Sequence, residues 1–292
     1  MIKARKPAWL KIKVLNGKDI LFVEKTLLDL NLNSVCSAAK CPNRAECFDN
    51  RTATFMILGT KCTRGCRFCN ILKDKPEEIN LDEPKNIAKA VDLLKLKYVV
   101  ITSVTRDDLV DGGAGHFYNV SKVIKDINPE TSIELLIPDF KGEKSAIDKV
   151  LNSGASVINH NIETVEGLYP NIRIGADYQR SLNILKYIKD NNTNIVTKSG
   201  LILGMGEKEG DVITLLKDLR SVRCDLLTIG QYLPPSSNHL SVKKYITPLE
   251  FENWKQIALD MGFLGVSSGP FVRSSYNALD LTKQIEDGRC TI

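Results

Sequence analysis

The chain has 292 residues, 43% of them hydrophobic and 26% charged, with 40 Lys and Arg against 35 Asp and Glu for a formal charge of +5. That length suits one large α/β domain with extensions, and so weak a basic balance does not argue for nucleic acid, although it favours an acidic protein partner. No apolar run approaches the roughly 20 residues of a membrane span. The basic start Met1-Ile-Lys-Ala-Arg-Lys leads into neither an apolar signal core nor a long Arg/Ser-rich stretch, so a cytoplasmic protein with no membrane partner is expected.

Taken in chain order, residues 1–53 read as an extension more than an independent domain. Ile20–Leu30 predicts a short strand and helix, and Pro42-Asn-Arg a turn inside a cysteine-bearing lid. From residue 54 short β-branched runs alternate with amphipathic stretches. Strands are expected at Thr54–Leu58, Tyr98–Ser103, Ser132–Ile137, Ser156–Asn159, Asn194–Ile202 and Asp225–Ile229. Helices are expected at Lys85–Leu96, His116–Ile127, Lys144–Leu151, Tyr178–Asp190 and Glu209–Val222. Such alternation implies βαβ units and a parallel sheet, either curled into a barrel or doubly wound. Six units fit before Pro248, fewer than the eight of a closed barrel.

Motif placement favours the barrel. Cys62, the pair Gly112 and Gly113, the pair Asn161 and Glu163, and the run Gly200-x-Ile-x-Gly204-x-x-Glu207 sit at the ends of predicted strands, where barrel active sites gather. The expected fold is therefore α/β, a partial (β/α)6 TIM-type barrel over residues 54–247. The flanking segments 1–53 and 248–292 would carry further cluster-binding residues, the latter as a helix and extension.

Six of the eight cysteines fall between positions 36 and 69. A [4Fe–4S] cluster normally takes four thiolates. The run Cys62-Thr-Arg-Gly-Cys66-Arg-Phe-Cys69 supplies three on one tight loop and leaves one iron with an open position. Zinc prefers paired C-x2-C knuckles or Cys/His sets, and neither a second close pair nor a nearby histidine accompanies this triad. A disulfide framework is disfavoured in a chain of this size without a secretory signal. Upstream, Cys36-x4-Cys41-x5-Cys47 reads as a second metal cluster, again one ligand short, so its fourth ligand must come from elsewhere in the fold. Cys224 reads as a buried structural thiol and Cys290 as a residue of a mobile terminus.

The Cys62 triad resembles the signature of the radical S-adenosylmethionine (SAM) superfamily, in which the amino and carboxylate groups of SAM chelate the open iron. Both triads, together with Gly269-Pro-Phe-Val-Arg273-Ser274-Ser275-Tyr276, Ser103-Val-Thr-Arg-Asp-Asp-Leu-Val-Asp-Gly-Gly113, Asn159-His-Asn-Ile-Glu163 and Thr197-Lys-Ser-Gly200, resemble the lipoyl synthase family from about Pro7 to about Leu281. The resemblance implies two [4Fe–4S] clusters and SAM. One cluster, on Cys62, Cys66 and Cys69, would release a 5′-deoxyadenosyl radical from SAM. The other, on Cys36, Cys41 and Cys47 with a serine of the Arg-Ser-Ser-Tyr motif, would be consumed as the source of two sulfurs, inserted at C6 and C8 of an octanoyl group on a protein lysine. The implied partners are octanoylated carriers (E2 domains of 2-oxoacid dehydrogenases and the glycine cleavage H protein) and a flavodoxin or ferredoxin as electron donor. A partial barrel open on one side would admit the lysine arm. No side chain is expected to act as a catalytic acid or base, because such groups cannot functionalise an alkyl carbon.

Softer expectations attach to single residues. Gly112 and Gly113 resemble the stretch that meets the SAM amino group, and a plain turn explains them equally well. Asn161 and Glu163 suit ribose hydroxyls, though a polar strand end gives the same pattern. Gly200 and Gly204 would lie against adenine, since the lysine and hydroxyl pair of a phosphate loop is absent. His160 is given no role. Ser275 is preferred to Ser274 as the iron ligand, against helix capping as the bland alternative. Rival readings are a biotin-synthase-like or methylthiolating enzyme, disfavoured by Arg273–Tyr276, and a zinc-bearing nucleic-acid module, disfavoured by the absence of an aromatic-interleaved basic patch.

Overall fold

The computed structural model describes residues 6–11 and 17–289. Seven strands form one parallel sheet in sequential order: β1 (Thr54–Ile57), β2 (Tyr98–Ser103), β3 (Ser132–Leu136), β4 (Val157–Asn159), β5 (Val196–Leu203), β6 (Leu226–Gln231) and β7 (Gly265–Gly269). Each pairs in parallel with the next, as in Thr54 against Val100 and Leu226 against Gly265. Buried β-branched and apolar runs such as Tyr98-Val-Val-Ile-Thr favour strands covered on both faces. Helices Glu83–Leu94, Ala114–Ile127, Lys144–Leu151, Tyr178–Asn191, Glu209–Ser221 and Pro248–Asp260 make the crossovers. The last begins with a capping box, Thr247 and Glu250 each satisfying the other's backbone N–H.

Two expectations change. A seventh strand, Gly265–Gly269, stands in the region read as helix and extension, and Ile20–Leu30 belongs to one helix, Lys18–Asp29, with no strand. That helix buries Val23, Thr26 and Leu27 on one face.

The free edge of β1 does not stay bare. Asn33 accepts a backbone hydrogen bond from Met56, and Ser34 bridges Phe55 in antiparallel sense, which blunts an edge that would otherwise invite pairing. Val23, Leu27, Leu32 and Phe48 from this N-terminal segment join the same apolar core as β1–β3. A second core gathers Leu201, Leu227, Val266 and the helices beside them.

At the N-terminal ends of the strands the barrel is plugged. Lys198 places its ammonium 2.9 Å from both oxygens of Glu134, with both side chains wholly buried. Tyr98 and Asn159 donate to the same carboxylate at 2.7 and 3.0 Å. Ala278, Leu279 and Leu281 of the helix Ala278–Arg289 cover Tyr98, Val157 and Leu226 from below. The opposite, C-terminal ends of the strands are where a cavity opens.

Candidate active site

After β1 the chain turns sharply at Leu58, a non-glycine residue with φ 68°. Its N–H donates to the Glu83 carboxylate at 3.1 Å, and its carbonyl accepts from Arg106 at 3.1 Å. Glu83 is held in turn by His116 at 2.7 Å. Gly113 explains its own identity here, because a Cβ would lie 2.3 Å from the Leu58 side chain and its φ is 92°. Gly112 likewise abuts Phe140. The two glycines form the turn into the helix Ala114–Ile127 and do not line the cavity. The turn accounts for both glycines through their packing neighbours.

The Cys62–Cys69 loop follows. Thr63 pairs with Thr105 through its N–H and hydroxyl, and accepts from the Asp107 N–H. Arg64, between two of the cysteines, makes paired bonds of 2.7 and 2.8 Å to Asp107 and of 2.9 and 2.7 Å to Asp139. Asp139 is 1% exposed at its side chain and also receives Arg180. Against burial, which works the other way, Arg64 holds its carboxyl far below the usual carboxylate range. A loop that leaves from the two-residue strand Lys61–Cys62, paired in parallel with Leu72–Lys73, is thereby fixed by two fork-like ion pairs.

The upstream triad is built differently. Cys36 sits on the short helix Val35–Ala38, whose N-terminus is capped by Ser34 at 3.1 Å, and Cys47 on the helix Arg44–Asp49. Asn43 donates to the Phe271 carbonyl at 2.7 Å, and the Tyr276 hydroxyl donates to Glu46 at 2.8 Å. The Arg-Ser-Ser-Tyr segment is therefore moored to this triad across more than 220 positions of sequence. Asn70, next to Cys69, donates to the Ala38 carbonyl at 2.7 Å and ties the two cysteine segments together.

All six cysteines line one cavity of about 370 Å³, together with Asn161, Glu163, Gly200, Ser274 and Ser275. The two serines differ. Ser274 exchanges hydrogen bonds with the Asn161 amide at 2.7 and 2.9 Å, whereas Ser275 has no side-chain partner among the described residues. Gly200 is needed for that arrangement, since a Cβ there would crowd Thr228, Asn161 and Ser274 at 2.6–3.0 Å. Gly204 is not among the residues that line this cavity. A side chain there would strike Gln231 and the Lys244 carbonyl, and the amides of Gly204, Met205 and Gly206 all point to the Glu207 carboxylate.

Two cations complete the walls, Arg173, which the sequence did not point to, and Arg273 of the Arg-Ser-Ser-Tyr motif. Arg173, half-buried, donates to the Tyr169 hydroxyl and Ser181 at 2.7 and 3.0 Å. Arg273 bonds only the neighbouring Val272 carbonyl and has no carboxylate partner among the described residues. Burial pushes its guanidinium below the ordinary range. Glu163 receives Asn161 at 3.0 Å, yet burial still raises its carboxyl. His160 is wholly buried between the Ile137 carbonyl and Ser181, away from the cavity lining. Cys224 is also fully buried, as expected of a structural thiol. Cys290 lies outside the described residues.

The donor set fits iron–sulfur clusters. Burial lifts the Cys47 and Cys69 thiols to about 12 and Cys66 to about 11, and raises Cys41 as well. Thiolates so disfavoured form when an electron-poor metal centre replaces the lost solvation. N–H groups already point at the sulfurs, from Arg64 and Thr105 to Cys62 and from Ile71 to Cys69, each at 3.4 Å. Among the described residues no three His, Cys, Asp or Glu side chains close on a single metal ion. The thiols ring a cavity instead.

Comparison with known proteins agrees with this chemistry. The radical SAM superfamily model matches residues 56–219. A lipoyl synthase of Caldicellulosiruptor saccharolyticus is 53% identical over 285 residues, covering 98% of this chain and 100% of the relative. One of Alkaliphilus metalliredigens is 52% identical, covering 97% and 98%. Among solved structures, a maturase of the [FeFe]-hydrogenase superposes with a TM-score of 0.57 at 14% identity, covering 86% of this chain and 63% of that one. Methylornithine synthase does so at 0.55 and 16% identity, covering 85% and 71%. At these identities the two structures speak for the fold alone.

Proposed function

The chain belongs to the lipoyl synthase family of radical SAM enzymes, and from that premise we propose that its cavity divides the work between two clusters, one on each cysteine triad. The enzyme is a radical SAM sulfurtransferase, with [4Fe–4S] clusters and SAM as cofactors and a protein-bound octanoyl group as substrate. Insertion of one sulfur at C6 and one at C8 is the proposed outcome. Cys62, Cys66 and Cys69 hold the cluster that binds SAM; Cys36, Cys41, Cys47 and Ser275 hold the cluster that is spent. When bound, these groups supply the electron, the hydrogen-abstracting radical and the sulfur, none of which a side chain provides.

The remaining work is positioning and shielding. Apolar walls from Val35, Met56, Val104, Leu136, Leu201 and Val272 suit the methylenes of an octanoyl chain and exclude water from a reactive species. Glu163 and Arg173, a carboxyl and a guanidinium on one cavity wall, match the ammonium and carboxylate of the amino-acid end of SAM. Asn161 remains available to a ribose. Arg273 faces Cys41, where its charge favours a thiolate.

In domain terms, residues 1–53 and 248–292 supply the two halves of the second site, and 54–247 the first. No helix among the described residues is long and apolar enough to cross a membrane. Carriers of the E2 and H-protein type, with a flavodoxin or ferredoxin donor, are the proposed partners.

The observation that carries this reading is the convergence of both triads and an unengaged Ser275 on one apolar cavity. Mass spectrometry of an octanoylated carrier domain, incubated with enzyme, SAM and reductant, tests it. A gain of two sulfurs with loss of two hydrogens is expected. A gain of one sulfur, or of a methylthio group, would instead support a rival sulfur-inserting reaction.

A further inference from the structure

Between β6 and the helix Pro248–Asp260 lies a segment, residues 232–247, without strand or helix. Its base is riveted by one buried side chain. The Gln231 amide donates to the carbonyls of Leu203, Tyr232 and Lys244 at 3.0–3.2 Å and accepts from the Ile246 N–H at 2.8 Å. The Lys243 N–H reaches the Gly204 carbonyl at 2.8 Å, and the Tyr232 hydroxyl closes the loop on the Leu240 carbonyl at 2.9 Å. Beneath it, Tyr232, Leu240 and Val242 pack with Met205, Ile172 and Phe68, the last lying between Cys66 and Cys69. Leu233 and Pro235 line the cavity.

The tip of this loop touches the cysteine loop through one polar contact. His239 Nε2 lies 3.1 Å from the Cys69 carbonyl, and its Nδ1 lies 2.9 Å from the Ser236 hydroxyl. A carbonyl oxygen only accepts, so Nε2 carries the proton. In the neutral ring Nδ1 then accepts from Ser236, and one tautomer satisfies both contacts. The partnered carbonyl belongs to the peptide that joins Cys69 to Asn70. From there the chain reaches Ile71, whose N–H donates to the Cys69 sulfur at 3.4 Å, while the Asn70 side chain holds Ala38 in the other cysteine segment.

We propose that His239 is a positioning residue for the SAM-binding cluster: by donating to the Cys69 carbonyl it fixes the turn that aims the Ile71 N–H at the Cys69 sulfur. The inference rests on the cluster assignment of Cys62, Cys66 and Cys69 given above. The two halves of the cysteine loop are then held by different means. Arg64 clamps the first half to two carboxylates of neighbouring strand ends, and His239 steadies the second half from a loop 170 positions away. Hydrogen bonds to cluster sulfurs raise the reduction potential, and partners beyond the ligands tune a metal centre. Loosening this turn therefore lowers the potential of the cluster that it serves.

The test compares His239→Ala and His239→Gln with the parent in two states. In cluster-free protein, hydrogen exchange at the Cys69–Ile71 amides should quicken about tenfold in the alanine variant and return near the parent in the glutamine variant, whose amide offers a donor at similar reach. In reconstituted protein, the alanine variant should keep the iron of both clusters. The potential of the SAM-binding cluster should fall by about 59 mV, a tenfold shift for one electron, with the glutamine variant restoring most of it. Unchanged exchange and unchanged potential in the alanine variant would overturn the proposal. So would a shift that glutamine leaves uncorrected, since that would implicate packing and not the donated hydrogen bond. A parent protein that binds only one cluster would instead defeat the cluster assignment, independently of the exchange result.

Discussion

The two cysteine segments face the same cavity but are anchored in opposite ways. Cys62–Cys69 is a loop threaded between strand ends, fixed by Arg64 to Asp107 and to the buried Asp139 and packed through Phe68. Cys36–Cys47 rides on two short helices outside the sheet, tied to the Arg-Ser-Ser-Tyr segment by single hydrogen bonds from Asn43 and Tyr276. A site that must cycle unchanged benefits from rigid support. A site whose contents are consumed benefits from ligands that can part. On the proposed assignment, the barrel supplies the first and its two flanks the second.

The largest effect should follow from emptying the rigid site. Alanine at Cys62, Cys66 and Cys69 together should halve iron from about eight to about four atoms per chain, at four per cluster, and abolish SAM cleavage. Full iron content, or retained cleavage, would break the contrast. Next in size, Arg64→Met takes the guanidinium from Asp107 and leaves Asp139 with Arg180 alone. Loss of one member of a buried pair costs about 3–5 kcal/mol, which chemical denaturation would read as an earlier midpoint. A loss below about 1 kcal/mol would place the pairs among surface bridges.

Acid should act in the same direction through two groups of the barrel. His160 has a folded value near 4 because it is wholly buried, against about 6.5 in an unfolded chain. The unfolded chain then binds a proton that the native state refuses, so stability falls as pH drops from about 6.5 to about 4, by at most about 3 kcal/mol. Asp139, depressed chiefly by Arg64, contributes stability that is present above about 4, its ordinary range, and lost further below it. Denaturation midpoints from pH 7 to pH 4 in the parent and in His160→Gln check the first window. An equally steep fall in the variant would remove His160 from the explanation.

Smaller effects separate the serines. Ser275→Ala should lower lipoyl product on the order of 10–100-fold, as for a lost support at a metal centre, while 5′-deoxyadenosine forms as before. Ser274→Ala, whose hydroxyl serves Asn161, should weaken SAM binding more than sulfur transfer. Equal behaviour of the two variants in both assays would show that their different partners do not matter. Smallest of all, Cys224→Ser should stay within a few-fold of the parent in product yield, because its thiol is buried against the Leu226 carbonyl, away from the cavity.

Much of this was legible before any coordinates. Ligand spacing is local, and both triads stand within single short segments. Strands β1–β6 are bounded apolar runs and fall within two residues of expectation at every end. β7 escaped because only Gly265 and Val266 of its five residues are buried, leaving no apolar run. The run Ile20-Leu-Phe-Val23 imitates a strand inside a helix, the ambiguity that short apolar runs always carry. Gly112, Gly113 and Gly204 show a different limit. A glycine required by positive φ or by a crowding neighbour looks the same whether that neighbour is a ligand, Leu58 or Gln231. Arg64, Arg173 and His239 gave no usable signal, because their meaning lies in partners distant in sequence, such as Asp139 for Arg64.

The division of labour between the segments can be read on one sample. Alanine at Cys36, Cys41 and Cys47 should leave about half the iron, roughly four atoms. With SAM, reductant and an octanoylated carrier, this variant should still form 5′-deoxyadenosine while the carrier gains no sulfur. Sulfur transfer at the parent level would contradict the account, and so would simultaneous loss of 5′-deoxyadenosine in a folded variant.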